Sequence, residues 1–247
     1  MSNTHEPRRR FLRQMLAVVP AASVATGGAL SLTACSDAAA PSAATAAADD
    51  GAGHASHPEY FTADEWRFLQ AAVDRLIPED ASGPGALKAG VPEYIDNQMD
   101  TPYGHGKIWY MHGPFHPDQP PELGFQLNLA PREIYRHGIK ACDEHCRRHY
   151  GGKPFAQLAA ADQDAVLGQM EHGKIEFEAV PSATFFAFLL SNTKEGFFAD
   201  PIYGGNKGMV GWKTIGFPGT RADYADWIDQ PGAKYPYGPV SIDGRRG

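Results

Sequence analysis

The chain has 247 residues, 43% of them apolar and 11% aromatic, with 20 prolines and 27 glycines. That is enough apolar material for one domain with a real core, and enough proline and glycine to demand long connections. The net charge of −7 falls to −10 without residues 1–34, which hold four arginines and one glutamate; this argues against nucleic acid or a polyanionic surface as partner.

Residues 1–34 read as a leader, with a basic start, PRRRFLRQM, an apolar stretch from Met15 to Ala34 broken by Pro20 and Gly27-Gly28, and small residues at the end. Within it, Arg8, Arg9, Phe11 and Leu12, followed by Arg13, resemble the twin-arginine export signal, a route taken by proteins already folded. Leu32-Thr33-Ala34-Cys35 resembles a lipoprotein box with Cys35 as the lipidated residue; cleavage near Ala38 to Ala40 is the alternative. One lipid would tether the protein to a membrane without a spanning helix. Residues 35–57 are rich in Ala, Ser, Thr and Asp and hold no aromatic residue, so a flexible tether is expected there. The expected location is the periplasm, at the membrane surface.

The folded part is expected over residues 58–247. Thr62 with Glu65 three residues later makes a capping box, Phe61 is placed to staple onto Trp66, and Trp66, Leu69, Val73 and Leu76 follow helical spacing up to Pro78. A short helix is expected from Pro92 to about Met99, proline being suited to a first turn. Residues 104–121, with HGKIWYMHGPFHPDQPP, read as an ordered loop. Pro131 to Tyr150 is the next helix, with Tyr135, Ile139, Cys142, Cys146 and His149 on one face and Gly151-Gly152 as its stop. Asp162 to about His172 is another, and Ser182 is read as the cap of a phenylalanine-rich helix. One turn is expected at Tyr224–Trp227, followed by an extended, proline-rich end. Without sustained period-two alternation, the fold class is all-α: a single helical domain with long ordered Gly/Pro/aromatic-rich loops.

The stretch from Ser182 to Gly219 stands apart. Gly196 is read as the stop of the helix, and the glycine-rich segment beyond it as an irregular loop, because glycine loses too much freedom in regular structure. Phe197, Phe198, Ile202, Tyr203, Met209, Val210, Trp212 and Phe217 are too apolar for a solvated loop, so the segment should lie over a surface, its own core or a partner's.

The blocks FFAFLLSNTKEGFFADPIYGGNKGMVGWKTIGFPG, WYMHGPF and GFQLNLAPREIYRHGIKACD resemble the small third subunit of gluconate 2-dehydrogenase, over nearly all of the chain from Phe61 to about Arg221. The resemblance implies a non-catalytic subunit of a periplasmic flavoprotein dehydrogenase. Its partners would be a large subunit carrying FAD, a cytochrome subunit carrying haem c, and the twin-arginine translocase. No cofactor is expected in this chain: Cys-x-x-Cys-His is absent, and YGGNKGMVGW fits neither a dinucleotide nor a phosphate loop.

No residue stands out as a catalytic acid, base or nucleophile. Cys142 and Cys146, with His149 on the same stripe, admit three readings: buried thiols, a disulfide to each other or to a partner, or part of a metal site. His105, His112 and His116 share one loop at a spacing that matches no standard metal site. A free-standing metal protein or enzyme built on either group is the alternative to the subunit reading. The partner interface is expected at Trp109, Tyr110 and Phe115 in one loop, and at Phe197, Phe198, Tyr203, Met209, Trp212 and Phe217 in the other, since these are the residue types that carry interface energy.

Overall fold

The computed structural model describes residues 58–116, 119–123 and 126–247. Arg8, Arg9, Phe11, Leu12, Cys35 and the tether lie outside the described residues. The described chain is helical, as expected, with α1 (Ala63–Leu76), α2 (Val91–Met99), α3 (Pro131–His149), α4 (Ala160–Glu171), α5 (Ser182–Phe198) and α6 (Val210–Ile215), joined by loops and single 3-10 turns. Among the described residues, β-structure is limited to three isolated bridges, two of them made by Val240.

The start of α1 follows from its capping box. The Thr62 amide donates to Glu65 Oε2 at 2.8 Å, and the Glu65 amide donates back to the Thr62 hydroxyl at 3.4 Å. Ahead of the cap, the chain is held by a buried carboxylate on α2. The amides of Glu59, Tyr60 and Phe61 donate to Asp96 at 2.7, 3.1 and 3.1 Å. Three consecutive backbone donors on one side chain fix the entry of the folded domain and press Phe61 into the core.

Helix α5 is the centre of the fold and touches each of the other five helices. That explains its composition: Phe185, Phe186, Leu189 and Phe197 are all buried along one face of the helix. Crossings this close need small residues. A Cβ on Gly138 of α3 would lie 2.3 Å from the Phe185 ring, and one on Gly196 would lie 2.7 Å from the Tyr94 ring.

Two sequence expectations fail here. Gly196 does not stop the helix, which continues to Phe198; the glycine gives Tyr94 its place against α5. Ser182 is not the cap either. Pro181 holds that position, its carbonyl accepts from the Phe185 amide at 3.1 Å, and the Ser182 hydroxyl is buried without a hydrogen-bond partner.

The glycine-rich segment after α5 is also more regular than expected: two 3-10 turns lead into α6. Asn206, fully buried and left-handed at φ 45°, organises it. Its amide group donates to the Ala199 carbonyl, and its oxygen accepts from the Gly211 amide, both at 2.8 Å. Asparagine tolerates this backbone region better than other non-glycine residues. The C-terminal segment then returns along the same region. The Thr220 amide donates to the Val240 carbonyl at 2.8 Å, and the Ile242 amide to Asp200 Oδ2 at 2.8 Å.

Candidate partner interface

The loop after α2 is positioned by a buried polar network. Asn192 of α5 accepts at Oδ1 from the Tyr135 hydroxyl at 3.0 Å, while its Nδ2 donates to the Tyr103 hydroxyl and to Glu195 Oε2, both at 2.9 Å. Burial pushes the Tyr103 phenol up to about 12, as it does that of Tyr94, so both stay neutral across the physiological range. Tyr103 in turn packs edge-on against Trp109 at 5.7 Å, and Trp109 against Phe188 at 5.8 Å.

Trp109 is therefore the loop's foot, half-buried in its own domain. The residues on either side of it point out: Ile108 is 62% exposed and Tyr110 80% exposed. With Phe115, half-buried, and the exposed Leu123, they line an open hollow of about 530 Å³.

The second expected surface divides. Phe197, Met209 and Trp212 are buried inside their own domain and cannot face a partner in this conformation. The Trp212 indole donates to the Phe198 carbonyl at 2.7 Å, which turns the ring inward. Phe198, Ile202, Tyr203 and Phe217 are exposed, and sequence reasoning passed over their exposed neighbours Ile215 and Ile242. Ile242 comes to this region only because its amide bonds to Asp200, 42 positions earlier, a pairing without a local signal.

Cys142 and Cys146 are free thiols, both completely buried in α3. A disulfide to a partner would require the core to open. The hydrogen bond with Cys146 and burial together push the Cys142 thiol well up, away from the reactive thiolate. In native protein both should resist iodoacetamide and react fully once guanidinium unfolds the chain, with no electrophoretic shift on reduction. Rapid native labelling at either position would contradict this placement.

His149 is exposed, although the two cysteines on its stripe are not, and His105 lies against Arg132. Among the described residues, no three histidine, cysteine or carboxylate side chains converge as metal ligands do.

Comparison with known sequences places this geometry. A family model described as Gluconate 2-dehydrogenase subunit 3 matches residues 63–219, from the first residue of α1 to the end of the glycine-rich segment. No curated protein and no solved structure matches.

Proposed function

The chain belongs to the gluconate 2-dehydrogenase subunit 3 family, a small subunit of a dehydrogenase complex, and we propose from that premise that its work is to bind and carry rather than to catalyse. In this reading it grips the FAD-bearing large subunit in the cytoplasm. Its leader then takes the folded, flavin-loaded pair through the twin-arginine pathway, and lipid on Cys35 helps to hold the complex at the periplasmic face of the membrane. Electrons pass from the sugar or sugar acid to the flavin, then to haem c in a cytochrome subunit and on to the quinone pool, without entering this chain.

The observation that carries the reading is the exposed apolar surface of a family member: Ile108, Tyr110 and Leu123 on one loop, and Phe198, Ile202, Tyr203 and Phe217 beyond α5. Large apolar and aromatic side chains left in water on these two loops support a surface that is covered in the proposed assembly.

The test is biochemical separation. Purified alone, the mature chain should be colourless and inactive toward gluconate, other sugar acids and polyols. Produced together with the FAD-bearing subunit, it should co-elute with flavin absorbance and dehydrogenase activity. A yellow or red isolated chain, or one that oxidises a sugar unaided, overturns the proposal.

A further inference from the structure

Beside the 104–116 loop, this acidic chain places two arginines over one ring. The guanidinium groups of Arg132 and Arg136 lie 4.6 and 4.5 Å from the centroid of Tyr60. They stand one turn apart at the start of α3, so they share a face. Tyr60 is held from both ends: its hydroxyl donates to the Arg132 carbonyl at 2.7 Å and its amide to Asp96. His105 reaches in from the loop, with a ring nitrogen 2.6 Å from Arg132 Nη1, and His137 adjoins. Together with Ala130 and Glu133 they line an open pocket of about 550 Å³.

The two arginines are unequally neutralised. Arg136 Nη1 lies 2.7 Å from Glu65 Oε2, and Nη2 donates to the Tyr60 carbonyl at 3.3 Å. The Glu133 carboxylate, the acid lining the pocket, accepts from the Ala130 amide at 2.7 Å. Arg132 has its carboxylate neighbour Asp100 at 3.7 Å, outside the roughly 2.7–2.9 Å of a charge-assisted hydrogen bond, and its nearer neighbour is a histidine. A planar fork of donors therefore faces an open pocket with its charge poorly matched from within the chain.

We propose that this pocket receives a carboxylate side chain of the large partner subunit, on Arg132 with His105 and His137 around it. The inference rests on the subunit reading above. Contiguity selects the occupant. His105 belongs to the same loop as Ile108 and Tyr110, and the loop lies against the pocket wall, since a Cβ on Gly106 would sit 3.4 Å from that of Ala130. A free small carboxylate would satisfy the arginine but leave Ile108 and Tyr110 in water. A polypeptide that presents an acid flanked by apolar side chains satisfies both. The ion pair then sets orientation and register, and the aromatic loop supplies the apolar area.

The test is the affinity of the purified FAD-bearing subunit for the full chain, measured at low and high salt. Arg132→Gln removes the charge and the guanidinium over Tyr60 but keeps a polar side chain on the same helix face; it should weaken binding at least about ten-fold and flatten its salt dependence. Arg132→Lys should recover part of the loss. His137→Gln, a change at an exposed position, should act in the same direction with a smaller effect. It decides the matter should Arg132→Gln fail to fold. Unchanged affinity and salt dependence in both neutral variants, with a wild-type complex that forms normally, would overturn the pocket's role and leave the subunit reading standing. A wild-type chain that binds no FAD-bearing subunit would overturn both. Gluconate titrated into the isolated chain gives the remaining arm: saturable shifts of the His105 and His137 ring signals, with no effect of Arg132→Gln on the complex, would make this a small-molecule site and reject docking.

Discussion

Replacing Arg8 and Arg9 together by lysine should leave the FAD-bearing partner in the cytoplasm and lower periplasmic dehydrogenase activity by at least about ten-fold. The change keeps both positive charges, so a leader read only through its charge would be unaffected. A receptor that reads two guanidinium groups loses the planar, multi-donor geometry that lysine lacks. The expected outcome is specific to a carrier. The partner is retained although its own sequence is untouched, and the cytoplasmic fraction gains a folded, flavin-loaded complex. Fractionation followed by activity staining reads the result directly. Normal export of the partner from the double-lysine strain would show that this chain does not carry it.

The second large effect is expected at Asp96. Asp96→Ala removes the acceptor for the amides of Glu59, Tyr60 and Phe61 in one step and leaves the Phe61 donor buried. Hydrogen bonds to a charged acceptor contribute roughly 1.5–3 kcal/mol each, less where water can replace the lost partner, as it can at Glu59. A loss of about 4 kcal/mol follows, which for a domain of this size lowers Tm by about 10 °C. Asp96→Asn, which keeps one acceptor oxygen, should lose less than half as much. Hydrogen exchange separates this from general damage: the amides of residues 59–61 should lose protection first, while those of α5 keep theirs. A Tm within about 2 °C of wild type for Asp96→Ala would remove the basis for assigning the clasp any weight.

Helix starts were the most legible part of the chain, because their signals are local. Thr62 and Glu65 announce α1, and Pro92 and Pro131 mark first turns; each boundary falls within two residues of its sequence expectation. The failures share a different physical origin. Gly196 was read through its own conformational freedom, but what decides its place is the Tyr94 ring arriving from α2. Phe197, Met209 and Trp212 are large apolar or aromatic residues like Phe198, Tyr203 and Phe217; the turn held by Asn206 and the inward indole of Trp212 help to separate interior from surface. Asn206 was the one local hint, a residue at home in left-handed backbone amid glycines. The Tyr60, Arg132 and Arg136 cluster was half legible: the four-residue spacing of the arginines is in the sequence, but the ring they share lies more than seventy positions away.

The central position of α5 has a consequence for the order of events during synthesis. Every other helix leans on residues 182–198, which are among the last third to be made. At roughly 5–20 residues per second, the first thirty residues leave the ribosome about 10–30 s before the domain can close around its hub. On the proposed export route, a translocase that admits only finished cargo would have to wait for this helix, and the late hub would act as a timer that separates synthesis of the leader from readiness to travel.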